Sequence, residues 1–144
     1  MTTTKALTLE LVTPERVALT EAADSIVLPA FEGEMGVLPG HEPFMVQLSP
    51  GEVRVHSGGA QKNLAISGGF AEILDNKVSI FAETAEMADD IDTERAKQSL
   101  EKAKVQVRKK AIDPLTLAMA EAAMRRAHVR LRVASLRRRR KGSK

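Results

Sequence analysis

No cysteine, tyrosine or tryptophan occurs among the 144 residues of this chain. Without thiols there is no disulfide framework, no cysteine-held zinc and no thiol nucleophile, and oxidising and reducing compartments are both compatible. Four Phe are the only aromatics, so any core must be built from Val, Leu, Ile, Ala and Met. No apolar run approaches the roughly 20 residues that span a bilayer. The opening Met1-Thr2-Thr3-Thr4-Lys5 has neither the apolar segment of a signal peptide nor an Arg-rich presequence. The expectation is a soluble protein made where it works, which meets a membrane only through partners or surface charge. Apolar residues still make up 43% of the chain. That suffices for one medium domain, or for a small domain with an appendage.

The net charge of +3 conceals an uneven distribution. Residues 1–87 carry five Lys/Arg against twelve Asp/Glu, whereas residues 88–144 carry seventeen against seven. A break this sharp suggests two units with different partners. The boundary is placed between residues 1–88 and residues 89–144.

The two halves also differ in period. Leu7, Leu9 and Leu11 alternate with Thr8 and Glu10, the pattern of a strand with one buried face. Val17 and Leu19 repeat it after Thr13-Pro14-Glu15. Ile26-Val27-Leu28 is continuously apolar, and further short strands are expected at 44–48, 53–55, 64–66, 70–74 and 78–82. Eight of the nine glycines lie between Gly33 and Gly69, with Pro39, Pro43 and Pro50 among them. Glycine supplies positive φ and proline pre-sets φ, so this punctuation predicts many tight turns. Short strands with frequent turns predict an antiparallel β-sandwich or flattened barrel.

Beyond Ala88 no glycine occurs until Gly142. Ala96, Leu100, Ala103 and Val107 lie on one face of a helix. Asp92 is its expected N-cap, and Arg108-Lys109-Lys110 sit where positive charge suits the helix dipole. Asp113-Pro114 is a specific start signal for a second helix. That helix repeats Leu117, Ala120, Met124, Ala127, Leu131 and Ala134 at spacings of three and four. The expected fold class is therefore α+β, an N-terminal antiparallel β-sandwich followed by an antiparallel two-helix hairpin. An alanine-rich seam buries little area, so the hairpin should open or re-dock easily.

Nothing in the chain points to catalysis. His41, His56 and His128 lie far apart, and no H-E-x-x-H, EF-hand or G-x-x-x-x-G-K-[ST] spacing occurs. No G-x-S-x-G elbow supports a serine nucleophile. The reading is a chain with no active site, no metal ligands and no required cofactor.

Two blocks are more informative. Glu32-Gly33-Glu34-Met35-Gly36 leads into Val37-Leu38-Pro39-Gly40-His41, and Ser67-Gly68-Gly69-Phe70-Ala71-Glu72 follows after the Pro50-Gly51 turn. Each alone could be bare turn chemistry. In this order and spacing, and together with Ile91-Asp92-Thr93-Glu94-Arg95-Ala96, the chain resembles the epsilon subunits of F-type ATP synthases. The likeness covers roughly Leu7 to Leu136.

That resemblance implies a sandwich of about ten strands that grips the gamma subunit and rests on the ring of c subunits. It implies a non-catalytic central-stalk subunit coupling rotor rotation to ATP synthesis. Glu34 would contact cations of the c-ring, and His41 would lie near gamma; the plain alternative for Glu34 is a solvated turn carboxylate. Ile91-Asp92-x-x-Arg95-Ala96 resembles the motif of relatives that bind ATP on the folded hairpin. Arg126 and Arg130, four apart and so on one face, resemble an arginine pair that meets phosphate there, and Glu86 an acidic position. Guanidinium groups suit that task because they pair with phosphate oxygens two at a time. Lys102 stands where a further family arginine would, keeping the charge without the planar fork. Alternatively Asp92 only caps and Arg95 is only a surface residue.

The resemblance further implies that the basic hairpin, when extended, meets the alpha and beta catalytic subunits and opposes ATP hydrolysis, with ATP as a regulatory ligand. The cytoplasmic face of a bacterial inner membrane is the expected location, with a plastid thylakoid as the alternative. Arg137-Arg138-Arg139-Arg140-Lys141 could also be a solvated tail. The competing reading is a binding module whose basic arm takes nucleic acid or anionic lipid. Without Tyr or Trp it lacks stacking platforms, and its acidic first half would repel phosphate.

Overall fold

The computed structural model describes residues 6–109 and 113–141. Two compact units make up the chain, Met1–Met87 and Ala88–Lys144.

Among the described residues the first unit has eight strands: β1 (Leu7–Val12), β2 (Val17–Ala23), β3 (Ser25–Ala30), β4 (Gly33–Val37), β5 (Phe44–Ser57), β6 (Ala60–Leu74), β7 (Lys77–Ala82) and β8 (Ala85–Met87). They join in the order β2-β1-β7-β6-β5-β3-β4, with β8 also paired to β6. All described pairings are antiparallel except β1 with β7, which run parallel. Every strand from β1 to β7 sends residues into one core, including Leu7, Leu9, Leu11, Ile26, Leu28, Val37, Val53, Leu64, Ile73 and Ile80. A fully buried Leu, Ile or Val contributes ~1.5–3 kcal/mol relative to exposure, so this aliphatic core suffices without Trp or Tyr. Val17 departs from the expected alternation: it is 57% exposed at the start of β2, and only Ala23 of that strand is fully buried.

Eight strands are described where the resemblance implies about ten; two of them are long, and β4 and β8 lie outside the segments expected from the pattern. The segments 44–48 and 53–55 are both part of β5, and 64–66 and 70–74 are both part of β6. The β5–β6 ribbon keeps one register from Phe44↔Ile73 to Ser57↔Ala60. Its buried face nevertheless switches. Leu48 is buried on β5 before the switch, and Val53 and Val55 after it; on β6 the buried set changes from Leu64 and Ile66 to Ala71 and Ile73. A ribbon that turns its opposite face to the core halfway along must coil from one layer into the other. Pro50-Gly51 and Ser67-Gly68-Gly69 mark that crossing rather than turns that end strands. Gly69 has φ +129°, and a Cβ placed there would lie 1.9 Å from the carbonyl oxygen of Phe81. Only glycine fits.

In the second unit a short 3₁₀ turn, Ala88–Asp90, precedes α1 (Thr93–Arg108) and α2 (Pro114–Lys141). α2 packs along α1 and also reaches the 3₁₀ turn that precedes it, so the two helices run antiparallel. Ala96, Leu100 and Ala103 are buried on α1, and Ala120, Ala127, Val133 and Ala134 on α2. Val133 lies off the expected seam; Val107, Leu117, Met124 and Leu131 are half-buried. Each buried methyl contributes only ~0.8 kcal/mol, so the seam is weak beside the β core.

Both helix starts follow from local chemistry. Asp92 Oδ1 accepts from the Arg95 amide at 3.0 Å. Asp113 Oδ1 accepts from the Thr116 amide at 3.0 Å, and its Oδ2 from the Thr116 hydroxyl at 2.5 Å. The Thr116 hydroxyl first, and its amide second, hold the Asp113 carboxyl below its ordinary 3.8. A carboxyl lowered on folding stabilises fully above its unfolded value, and that contribution is lost as pH falls through the lowered one. Helix content by circular dichroism should therefore show an acid step below about pH 4, and Asp113→Ala should remove it; an unchanged step would place its origin elsewhere.

Candidate functional site

The residues singled out in the first unit sit on the strands and on one connecting loop. Glu34 lies on β4 opposite Pro29 of β3, and Arg54 lies on β5 opposite Val27 of β3. The two side chains meet across β3 in a two-pronged ion pair, Nη1 to Oε1 at 2.9 Å and Nη2 to Oε2 at 2.8 Å. The Arg54 pKa is raised by its bond to Glu34, against some opposition from burial and with help from the charges of Glu34 and Glu52. Glu34 thus presents a carboxylate that is still exposed to solvent but is oriented and partly neutralised by Arg54. An exposed pair of this kind is worth only ~0.2–1 kcal/mol to the fold, so it matters mainly through the direction in which it holds the carboxylate. Arg54 is twenty residues away in sequence, and no local pattern announced it.

His41 belongs to the loop between β4 and β5. Its amide donates to the Leu38 carbonyl at 3.1 Å. Its Nδ1 donates to the Glu42 carbonyl at 2.7 Å, and its ring meets Phe44 edge-on at 6.4 Å. On the outer face of β6 and β7, Phe70 and Phe81 stack with centroids 5.0 Å apart. They are 45% and 37% exposed. Phe81 is paired to Val12 and Phe70 to Gln47, so the aromatic pair lies on one cross-strand row. The amide of Phe31, itself exposed, donates to the carbonyl of Gln47. Sequence alone does not single out this row; a Phe on each strand, out of phase with the buried Ala71 and Ile73 of β6 and the buried Ile80 and Ala82 of β7, is its one local signal.

In the second unit Ile91 and Ala96 are buried, whereas Asp92 and Arg95 are exposed. On α2 Arg126 is exposed and Arg130 half-buried; Lys102 is exposed on α1. At 1.5 Å per residue α1 is ~24 Å long, and Arg126 and Arg130 lie ~18 and ~24 Å into the returning α2. The backbone thus carries Asp92, Arg95, Arg126 and Arg130 to one end of the hairpin, opposite its connection. Asp92 spends one oxygen on its cap. Glu86 is on β8, opposite Ala65, in the other unit. Among the described residues no group of His, Asp or Glu could hold a metal ion, and no helix is long and apolar enough to cross a membrane.

Family comparison accounts for both units. The family model for the ATP synthase delta/epsilon chain β-sandwich domain matches residues 6–88, and that for its long α-helix domain matches residues 89–135. The ATP synthase epsilon chain of Herpetosiphon aurantiacus is 49% identical over 132 residues, covering 92% of this chain and 96% of that one. Its counterpart in Nitratidesulfovibrio vulgaris is 44% identical over 131 residues, covering 90% and 96%. A chain in the cryo-EM structure of Euglena gracilis mitochondrial ATP synthase, OSCP/F1/c-ring, superposes with TM-score 0.77 at 32% identity, over 91% of this chain and 81% of that one. One in the Tetrahymena thermophila central stalk/c-ring structure has TM-score 0.60 at 12% identity, over 92% and 99%, a likeness of fold alone. With both domain models matched in order and curated relatives aligned over nine-tenths of its length, the chain belongs to the ATP synthase delta/epsilon family.

Proposed function

We propose that this chain is a non-catalytic epsilon subunit of the central stalk of an F-type ATP synthase. The observation that carries the reading is that two domain matches follow one another across 130 residues, meeting at residues 88 and 89. The β unit holds gamma and rests on the c-ring, transmitting torque. Glu34, oriented by Arg54, contacts cations of the ring, and the loop bearing His41 lies against gamma. The exposed Phe70–Phe81 stack supports a covered surface, because apolar area in such a row is left bare at a loss.

The hairpin is the regulatory part. Folded, it permits turnover; extended, its basic residues meet the alpha and beta catalytic subunits and oppose hydrolysis. The thin alanine seam supports this, since little burial is lost on opening. ATP on Ile91, Asp92, Arg95, Ala96, Arg126 and Arg130 would favour the folded form through its higher affinity for that state. The subunit is peripheral, at the cytoplasmic face of a bacterial inner membrane, and attached through the complex.

The test uses the purified full-length chain. It should co-purify with gamma and the c-ring, and calorimetry at millimolar MgATP should show binding that Arg126→Ala abolishes. Failure to associate with any rotor component would overturn the stalk assignment. Absence of binding heat would remove the nucleotide site and leave the stalk role standing.

A further inference from the structure

We infer that Asn76 is a positioning residue for the loop that carries His41, fixing it for contact with the rotor partner; the inference rests on the reading of that loop as a gamma contact. The connection between β6 and β7 is the two-residue turn Asp75-Asn76, with φ +49° and +63°. Two-residue hairpin turns with positive φ at both positions favour glycine at the second. Asn tolerates that backbone, but turn chemistry alone gives it no advantage over glycine.

Its side chain is used elsewhere. Asn76 Oδ1 accepts from the amide of Gly40 at 2.7 Å, across a sequence separation of 36 residues. Gly40 is itself left-handed, at φ +85°. The carbonyl of Asn76 accepts from the amide of Thr8 at 2.8 Å. One residue therefore ties together the start of β1, the β6–β7 turn and the β4–β5 loop.

Among the described residues the loop's other hydrogen bonds are local. The His41 amide closes on the Leu38 carbonyl, and the His41 ring closes on the Glu42 carbonyl. Those bonds shape the turn without attaching it to the β body. The Asn76 carboxamide supplies an attachment one residue before His41. Without it the loop can keep its internal shape while swinging on the ends of β4 and β5, and a partner would have to order it on binding.

The experiment compares Asn76→Gly and Asn76→Asp in the full-length chain. Glycine retains the left-handed turn and removes the acceptor; aspartate retains both. For Asn76→Gly the Gly40 amide should lose protection in hydrogen exchange. Affinity for gamma should fall about fivefold, the worth of one ordinary hydrogen bond, with Tm shifted by no more than about 5 °C. Asn76→Asp should restore both protection and affinity. Wild-type affinity in Asn76→Gly, or a large fall in its Tm, overturns the positioning role. So does an Asn76→Asp variant as weak as Asn76→Gly. A wild-type chain that does not bind gamma overturns the rotor reading and the partner half of this inference, while Gly40 exchange still decides independently whether Asn76 holds the loop.

Discussion

Gly69→Ala is expected to unfold the β unit or to destabilise it by ~4 kcal/mol or more. Two independent effects add at this position. The residue sits at φ +129°, where an L side chain is strained, at roughly 1–3 kcal/mol. The new Cβ would also lie 1.9 Å from the Phe81 carbonyl oxygen and 3.0 Å from its carbon. Those atoms are backbone, so relief requires β6 and β7 to part at the point where the ribbon crosses between layers. Gly36→Ala is the control: nothing lies within 4 Å of its added Cβ and its φ is ordinary, so stability should change by no more than ~0.5 kcal/mol. Denaturant unfolding of both variants decides the matter. A Gly69→Ala protein as stable as Gly36→Ala would show that the crossing is not built as described.

Removal of residues 89–144 is expected to have the largest functional effect. The β unit keeps its core, all of which lies between Leu7 and Ala82, so the truncated chain should fold and still join the rotor. Coupled ATP synthesis should persist. Hydrolysis by the reconstituted enzyme should rise about tenfold where the extended form occupies nine-tenths of the complexes. Unchanged hydrolysis would end the regulatory proposal without touching the stalk role, and loss of rotor assembly would instead show that the helices are needed for attachment.

The features legible in the sequence were those set by local chemistry and period. Asp92 and Asp113-Pro114 announce helix starts because a carboxylate before a free amide is a strictly local device. Ala96, Leu100, Ala103, Ala120, Ala127 and Ala134 were legible because a helix repeats its buried face at fixed spacing. The strand count was not. Pro and Gly read as chain breaks, but in an antiparallel ribbon they also permit a bend that leaves the ladder intact. Nothing local separates the two, so the pattern alone divides β5 and β6 where each strand is continuous. Long-range polar pairs were equally hidden. Arg54 with Glu34 and Asn76 with Gly40 depend on which strands become neighbours, as does the parallel approach of β1 to β7. The exposed Phe70–Phe81 row was concealed for a related reason, since an aromatic residue in a strand reads as core until its alternate neighbours are seen to fill that role.

The alanine seam has a thermal consequence. The heat capacity of unfolding follows the apolar surface released to water, and α1 and α2 release little when they separate. Parting of the helices should therefore change gently with temperature, in a broad event of small enthalpy. The strand body, with its Leu, Ile and Val interior, should follow a strongly curved stability profile and melt in a sharp one. A single calorimetric scan would then record two thermodynamic personalities in one polypeptide, a stiff body and an arm almost indifferent to warmth.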